Sequence, residues 1–202
     1  MFSVIVLGLL SSVSWAQFEK GTKSLGGVFS IYGDKSKSET SSGTDIEQKS
    51  TTVNIEPSFG IFITPRTSVG ISMGYSSSIS EYSDSRYSEG AFSIGSLLRH
   101  HFPLSEAFSL YIQEGVKLSF GNEKDEGDSF TSEHSTTDFL IGLSPGIIYF
   151  PSSKFGLEAG VGSLYYLTHA RKDKDDDSKT TDNSYGLNFS MSAFYFGLRY
   201  YF

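Results

Sequence analysis

The stretch Val53–Ser76, VNIEPSFGIFITPRTSVGISMGYS, holds two runs of alternation around one proline turn. In the first, Val53, Ile55, Pro57, Phe59, Ile61 and Ile63 fall on one face, with Asn54, Glu56, Ser58 and Gly60 on the other. In the second, Val69, Ile71, Met73 and Tyr75 oppose Ser68, Gly70, Ser72, Gly74 and Ser76. A period of two is that of a β-strand whose faces meet different surroundings. Between the runs, TPRT (Thr64–Thr67) supplies a tight turn, because proline presets φ and cannot continue the ladder.

The same alternation extends over the rest of the chain. Phe92, Ile94 and Leu98 oppose Ser93, Gly95, Arg99 and His101. Phe108, Leu110, Ile112, Val116 and Leu118 oppose Ser109, Gln113, Gly115, Lys117 and Ser119. Further on, Phe139, Ile141, Leu143, Ile147 and Tyr149 oppose Asp138, Gly142, Ser144 and Gly146. Phe155, Leu157, Ala159 and Val161 oppose Gly156, Glu158, Gly160 and Gly162. With an early run at Leu25–Tyr32 and a final one from about Tyr185 to Phe202, eight strands are predicted. Their connections alternate in kind. Short turns lie at Thr64–Thr67, Pro103–Glu106 and Pro151–Lys154, and long polar connections at 34–49, 80–88, 121–136 and 170–184. An up-and-down topology then gathers the short turns at one end and the long loops at the other. This is the asymmetry of a transmembrane barrel, with short periplasmic turns and long extracellular loops. The bilayer demands closure, since an open sheet edge in hydrocarbon leaves backbone groups unpaired.

The alternative is a soluble lipocalin-like barrel with an apolar lumen. The face opposite the large apolar residues is mostly Gly and Ser with a few charges. That suits the narrow interior of an eight-stranded barrel and makes a poor solvent face, since Gly weakens strands. Tyr75, Phe102, Phe108, Tyr149, Phe155 and Tyr165, near strand ends, match interfacial aromatic girdles. Pro57 and Pro145, inside strands, predict nearby bulges.

The chain opens MFSVIVLGLLSSVSWAQ. An apolar core from Val4 to Leu10, then Ser14-Trp15-Ala16, reads as a signal peptide over 1–16, cleaved between Ala16 and Gln17. The core is far shorter than the roughly 20 residues of a helical span. Residues 17–202 form the barrel domain. No cysteine is present, which excludes disulfides and thiolate sites, and a net charge of −7 without a basic stripe argues against nucleic acid.

At the C-terminus Phe194, Phe196, Leu198, Tyr200 and Phe202 alternate to the last residue. Together with the cleavable signal, the QFEKGT start of the mature chain and the terminal YYF, this resembles the small porin-like outer-membrane β-barrel family, the eight-stranded group with OmpX- and OmpW-like members. The resemblance implies residence in the bacterial outer membrane, contact with its lipid and lipopolysaccharide, and recognition of the C-terminal strand by the barrel-assembly machinery. It implies porin, adhesin or structural roles and no particular substrate.

By parity the lumen holds Glu56, Asp138 and Glu158 with Arg99, Lys117 and Arg199. Three charges of each sign suggest a balanced network, either a structural plug or the lining of a narrow channel for ions or small solutes. The plug is favoured because eight strands leave little free lumen. Glu114 has lipid-facing parity, which predicts a bulge or an inward turn there. His100 and His101 lie beside a short turn, and His134 and His169 at the opposite end. A His with a loop Ser would suit a lipid-modifying enzyme, but interfacial or loop histidines are the favoured reading. Asp173, Asp175 and Asp177 lack the Gly and terminal Glu of a calcium loop and read as solvated. The expectation is a non-enzymatic barrel with no cofactor, no metal and an extracellular partner that the loops do not specify.

Overall fold

The computed structural model describes residues 18–39, 45–82, 85–127, 130–174, 176, 178–188 and 194–202. The signal-peptide reading, with Ala16 and Gln17, and the aspartates 175 and 177 lie outside these residues. The strands are β1 (Lys23–Glu39), β2 (Asp45–Thr64), β3 (Thr67–Tyr82), β4 (Ser85–Pro103), β5 (Phe108–Gly127) and β6 (Phe130–Ser152). They continue with β7 (Phe155–Val161), β8 (Ser163–Asp173), β9 (Lys179–Asn188) and β10 (Phe194–Tyr201). Each strand from β1 to β6 pairs antiparallel with the next. β6 then pairs with β7, β7 with β10, and β10 with β1, from Ser24 opposite Tyr201 to Val28 opposite Gly197. The sheet therefore closes on itself. β8 continues β7 along β6, and β9 pairs with β8 on the same wall line as β10. The wall has eight strands, as alternation predicts.

The break between β7 and β8 is a bulge. Gly146 faces Gly160 and Leu143 faces Leu164, so two residues of β6 oppose three of its partner. Gly162, with φ at 70°, supplies the left-handed residue that such an insertion uses. Pro145 sits at this point, as expected. The bulge also shifts the side-chain phase: Phe155 and Leu157 are outward before it, Leu164 and Tyr166 after it. Tyr165 therefore turns to the inner face instead of joining the girdle. Pro57 behaves differently. The β1–β2 register runs through it, and the β2–β3 register is the same on both sides, so no bulge forms there. An outward proline at that position only omits a ladder donor.

The four long connections are present, but they are mostly ladder. β1 and β2 stay paired to Glu39 opposite Asp45, β3 and β4 to Tyr82 opposite Ser85, β5 and β6 to Gly127 opposite Phe130, and β8 and β9 to Lys172 opposite Lys179. Polar cross-strand contacts hold these ribbons: Lys35 with Glu47, Thr52 with Ser78 at 3.0 Å, Ser80 with Ser50 at 3.1 Å, and Lys174 with Glu133 at 3.3 Å. With both faces polar, no apolar alternation marks them.

The outward face is a band of exposed Ile, Leu, Val and Phe. Aromatics rim it at both edges. Tyr75 contacts Phe92 at one edge; at the other, Phe108 contacts Tyr149 and Phe155 contacts Tyr200. On β4 the rims are Phe92 and Phe102, ten residues apart, the length of a membrane-crossing strand. Phe196, Leu198 and Phe202 of the C-terminal run are outward and exposed. The phase change expected near Ser192 falls outside the described residues. Glu114 is neither bulged nor turned inward. β5 keeps register with β4 and β6 through it, opposite Leu98 and Leu143. Its side chain stands exposed on the apolar face, midway between Phe108 and Phe120.

A packed aromatic core lies at the short-turn end. Phe18, Phe62 and Tyr201 are buried there with Phe150 against them. Phe18 stacks on Phe62 at 4.2 Å and on Tyr201 at 4.6 Å between ring centroids. Burying an aromatic ring of this kind contributes about 1.5–3 kcal/mol.

Candidate functional site: a charged network above an aromatic floor

Small inward residues (Ser24, Gly26, Ser58 and Gly156) leave room inside the barrel for long side chains from facing strands. Arg99 enters from β4, Glu158 from β7 and Arg199 from β10, and all three are buried. One carboxylate oxygen, Glu158 Oε1, accepts from Arg99 Nη1 at 2.5 Å and from Arg199 Nε at 2.6 Å. Gln113 Oε1 accepts from Arg99 Nε at 3.1 Å and Nη2 at 2.6 Å. Arg199 Nη2 donates to Ser58 Oγ at 3.1 Å and Nη1 to Ser24 Oγ at 3.4 Å. The Arg99 guanidinium also lies 4.2 Å over the Tyr111 ring, a cation–π contact. Tyr111 fits because Gly146 faces it, where any Cβ would collide with the ring. Buried charges persist only when paired and hydrogen-bonded, and both guanidiniums meet that condition.

The six charges expected in the lumen thus divide. Arg99, Glu158 and Arg199 form the buried cluster, two positive groups on one negative. Lys117 and Glu56 pair at 3.3 Å in a more open part of the lumen. Asp138 takes no part in either group. Near the ribbon end its Oδ1 lies 2.6 Å from His169 Nδ1. A cavity of about 260 Å³ lies over the cluster, with Asn54, Glu56, Gln113 and Ser144 in its wall.

His101 is not interfacial. It is fully buried under the cluster, with ring centroids 5.4 Å from Phe18 and 5.0 Å from Phe62. His100 is outward, 3.1 Å from Thr67 Oγ1 through Nδ1. Phe62, Tyr111 and Tyr201 escaped the alternation reading because they are large residues at inward parity close to strand ends. That combination was their signal.

At the ribbon end, His134 Nε2 lies 2.9 Å from Ser132 Oγ, and its Nδ1 lies 3.4 Å from Asp173 Oδ2. Arg171 pairs with Glu123 at 3.0 Å. Glu89 sits directly across from Glu123 in the ladder. Partial burial pushes the Glu89 carboxyl above the usual range, and the charges of Glu123 and Asp138 push it further. Among the described residues no group of three or more His, Asp or Glu is poised to hold a metal ion.

A closed eight-stranded wall, an apolar band with aromatic rims and a polar, side-chain-filled interior are what a bilayer requires of a strand protein. The sequence model of the outer membrane protein beta-barrel domain matches residues 2–202. The chain belongs to that family. It is a protein of the bacterial outer membrane, with the short turns periplasmic and the ribbons extracellular. Similar solved structures include Neisserial surface protein A, at 16% identity and TM-score 0.47, with 91% of this chain and 98% of that one covered. Another is a major outer membrane protein from Thermus thermophilus, at 11% identity and TM-score 0.47, with 91% and 100% covered. The translocator domain of the autotransporter NalP from Neisseria meningitidis matches at 14% identity and TM-score 0.46, with 91% and 65% covered. No curated protein matches the sequence.

Proposed function

We propose that this outer-membrane barrel is non-enzymatic and non-conducting, and that it acts through its extracellular ribbons. The observation that carries this reading is the Arg99–Glu158–Arg199 cluster with Gln113, which ties β4, β5, β7 and β10 together across the lumen above the Phe18 floor. The ribbons, which carry both signs of charge, meet lipopolysaccharide and an extracellular partner. The outward Phe196, Leu198, Tyr200 and Phe202, with Phe194 at the start of the same strand, serve the assembly machinery. The test is conductance of refolded protein in a planar bilayer with insertion verified independently. A silent membrane is expected. Steady steps would overturn the reading in favour of a narrow channel, and Glu56→Ala and Arg99→Ala would then change its ion selectivity.

A second reading, ester hydrolysis at the outer mouth, is favoured by the Ser132–His134–Asp173 arrangement. It ranks lower because His134 Nδ1, 3.4 Å from Asp173 Oδ2, makes no orienting hydrogen bond. Turnover of a lipid ester that disappears in Ser132→Ala would promote it, and no turnover above background would remove it.

A further inference from the structure

We propose that the periplasmic floor of the barrel is a binding site for one buried monatomic anion of the halide class, held where Arg99, Arg199, His101 and Tyr201 converge. The cavity there is about 20 Å³, room for a single small occupant, a water or one monatomic ion. The polar side chains lining it are Arg99, Arg199, His101, Tyr201, Ser24 and Ser68. Every one of these can present an N–H or O–H. Glu158 does not line this cavity; it lines the larger one, together with both arginines.

Two further observations point to an occupant. Both ring nitrogens of His101 and the hydroxyl of Tyr201 are buried and make no hydrogen bond among the described residues, although His101 is 1% exposed and Tyr201 3%. Buried polar groups of this kind are satisfied by something. The buried cluster also carries one more guanidinium than carboxylate, and an unbalanced buried charge is disfavoured. A water would satisfy the hydrogen bonds and leave the charge. A monatomic anion answers both. The site rests on the floor geometry alone and is independent of whether the lumen conducts.

The test uses the full mature chain, crystallised with sodium bromide as the added salt. One anomalous peak is expected within hydrogen-bonding reach of His101 and Tyr201. In solution, replacing gluconate with chloride or bromide at constant ionic strength should raise the heat-unfolding midpoint saturably. Tyr201→Phe, which removes only the hydroxyl, should weaken half-saturation about tenfold, the scale of one hydrogen bond to a charged group. If that variant does not fold, the bromide map of the unaltered protein decides. Ordered water without anomalous signal overturns the proposal, as does a midpoint indifferent to the anion.

Discussion

Replacing Glu158 with Gln tests the logic of the lumen most directly. The carboxylate is 4% exposed, and a single oxygen holds both guanidiniums at 2.5 and 2.6 Å. Gln keeps the volume and an acceptor oxygen, so the change isolates charge. It leaves two buried cations with no carboxylate between them, and removing one partner of a buried ion pair typically costs about 3–5 kcal/mol. The variant should therefore unfold at markedly lower urea in detergent micelles, followed by the mobility difference between folded and heated protein on gels. Glu158→Gln combined with Arg99→Gln restores the net charge of the cluster. The double variant should be more stable than the sum of the single losses by about 1–3 kcal/mol, the coupling of residues sharing a network. A loss below about 1 kcal/mol for Glu158→Gln, or strict additivity in the double variant, would show that the cluster does not act as an electrostatic unit.

Three other outcomes follow from the structure. Phe18→Ala empties the centre of the floor and should lower stability by about 3 kcal/mol; a neutral result by urea unfolding would mean that Phe18 merely rests against the mouth. Glu114→Leu removes a carboxylate from the middle of the apolar band and should stabilise the protein in bilayers by about 1–2 kcal/mol, somewhat less than a midplane Lys or Arg would cost; a loss of stability would mean that the carboxylate has a partner in the membrane. Glu89 governs a pH dependence of the outer ribbons. Its folded carboxyl titrates above the ordinary value, so its contribution is fully present below about 4.3 and is lost as pH rises through the raised value. Hydrogen exchange at the β4–β5 outer ends should therefore quicken, relative to Glu89→Gln, as pH rises through that window. Glu47 and Glu126 have the opposite sign, since hydrogen bonds from Lys35 and Lys124 hold their carboxyls below the usual range, and their small contribution fades on acidification.

The strand count, the inward and outward faces and the sidedness of the turns were legible in the sequence, because each follows from local alternation and turn chemistry. Val53–Ile63 and Val69–Tyr75 show both faces without any knowledge of their neighbours. The polar ribbons were not legible. Their strands have no apolar face, so only pairing across the hairpin, as between Lys35 and Glu47, distinguishes them from loops. Parity placed Arg99, Glu158 and Arg199 inside, but it could not say which charges meet. That depends on strand stagger around a closed ring, which brings Glu158 to two arginines 59 and 41 residues away and leaves Asp138 with His169. The bulge at Gly162 that reverses Tyr165, and the burial of Phe18 beneath the lumen, were likewise decided by the tertiary structure. Alternation is a property of a few adjacent residues, whereas contacts across a barrel depend on the register of every strand between them.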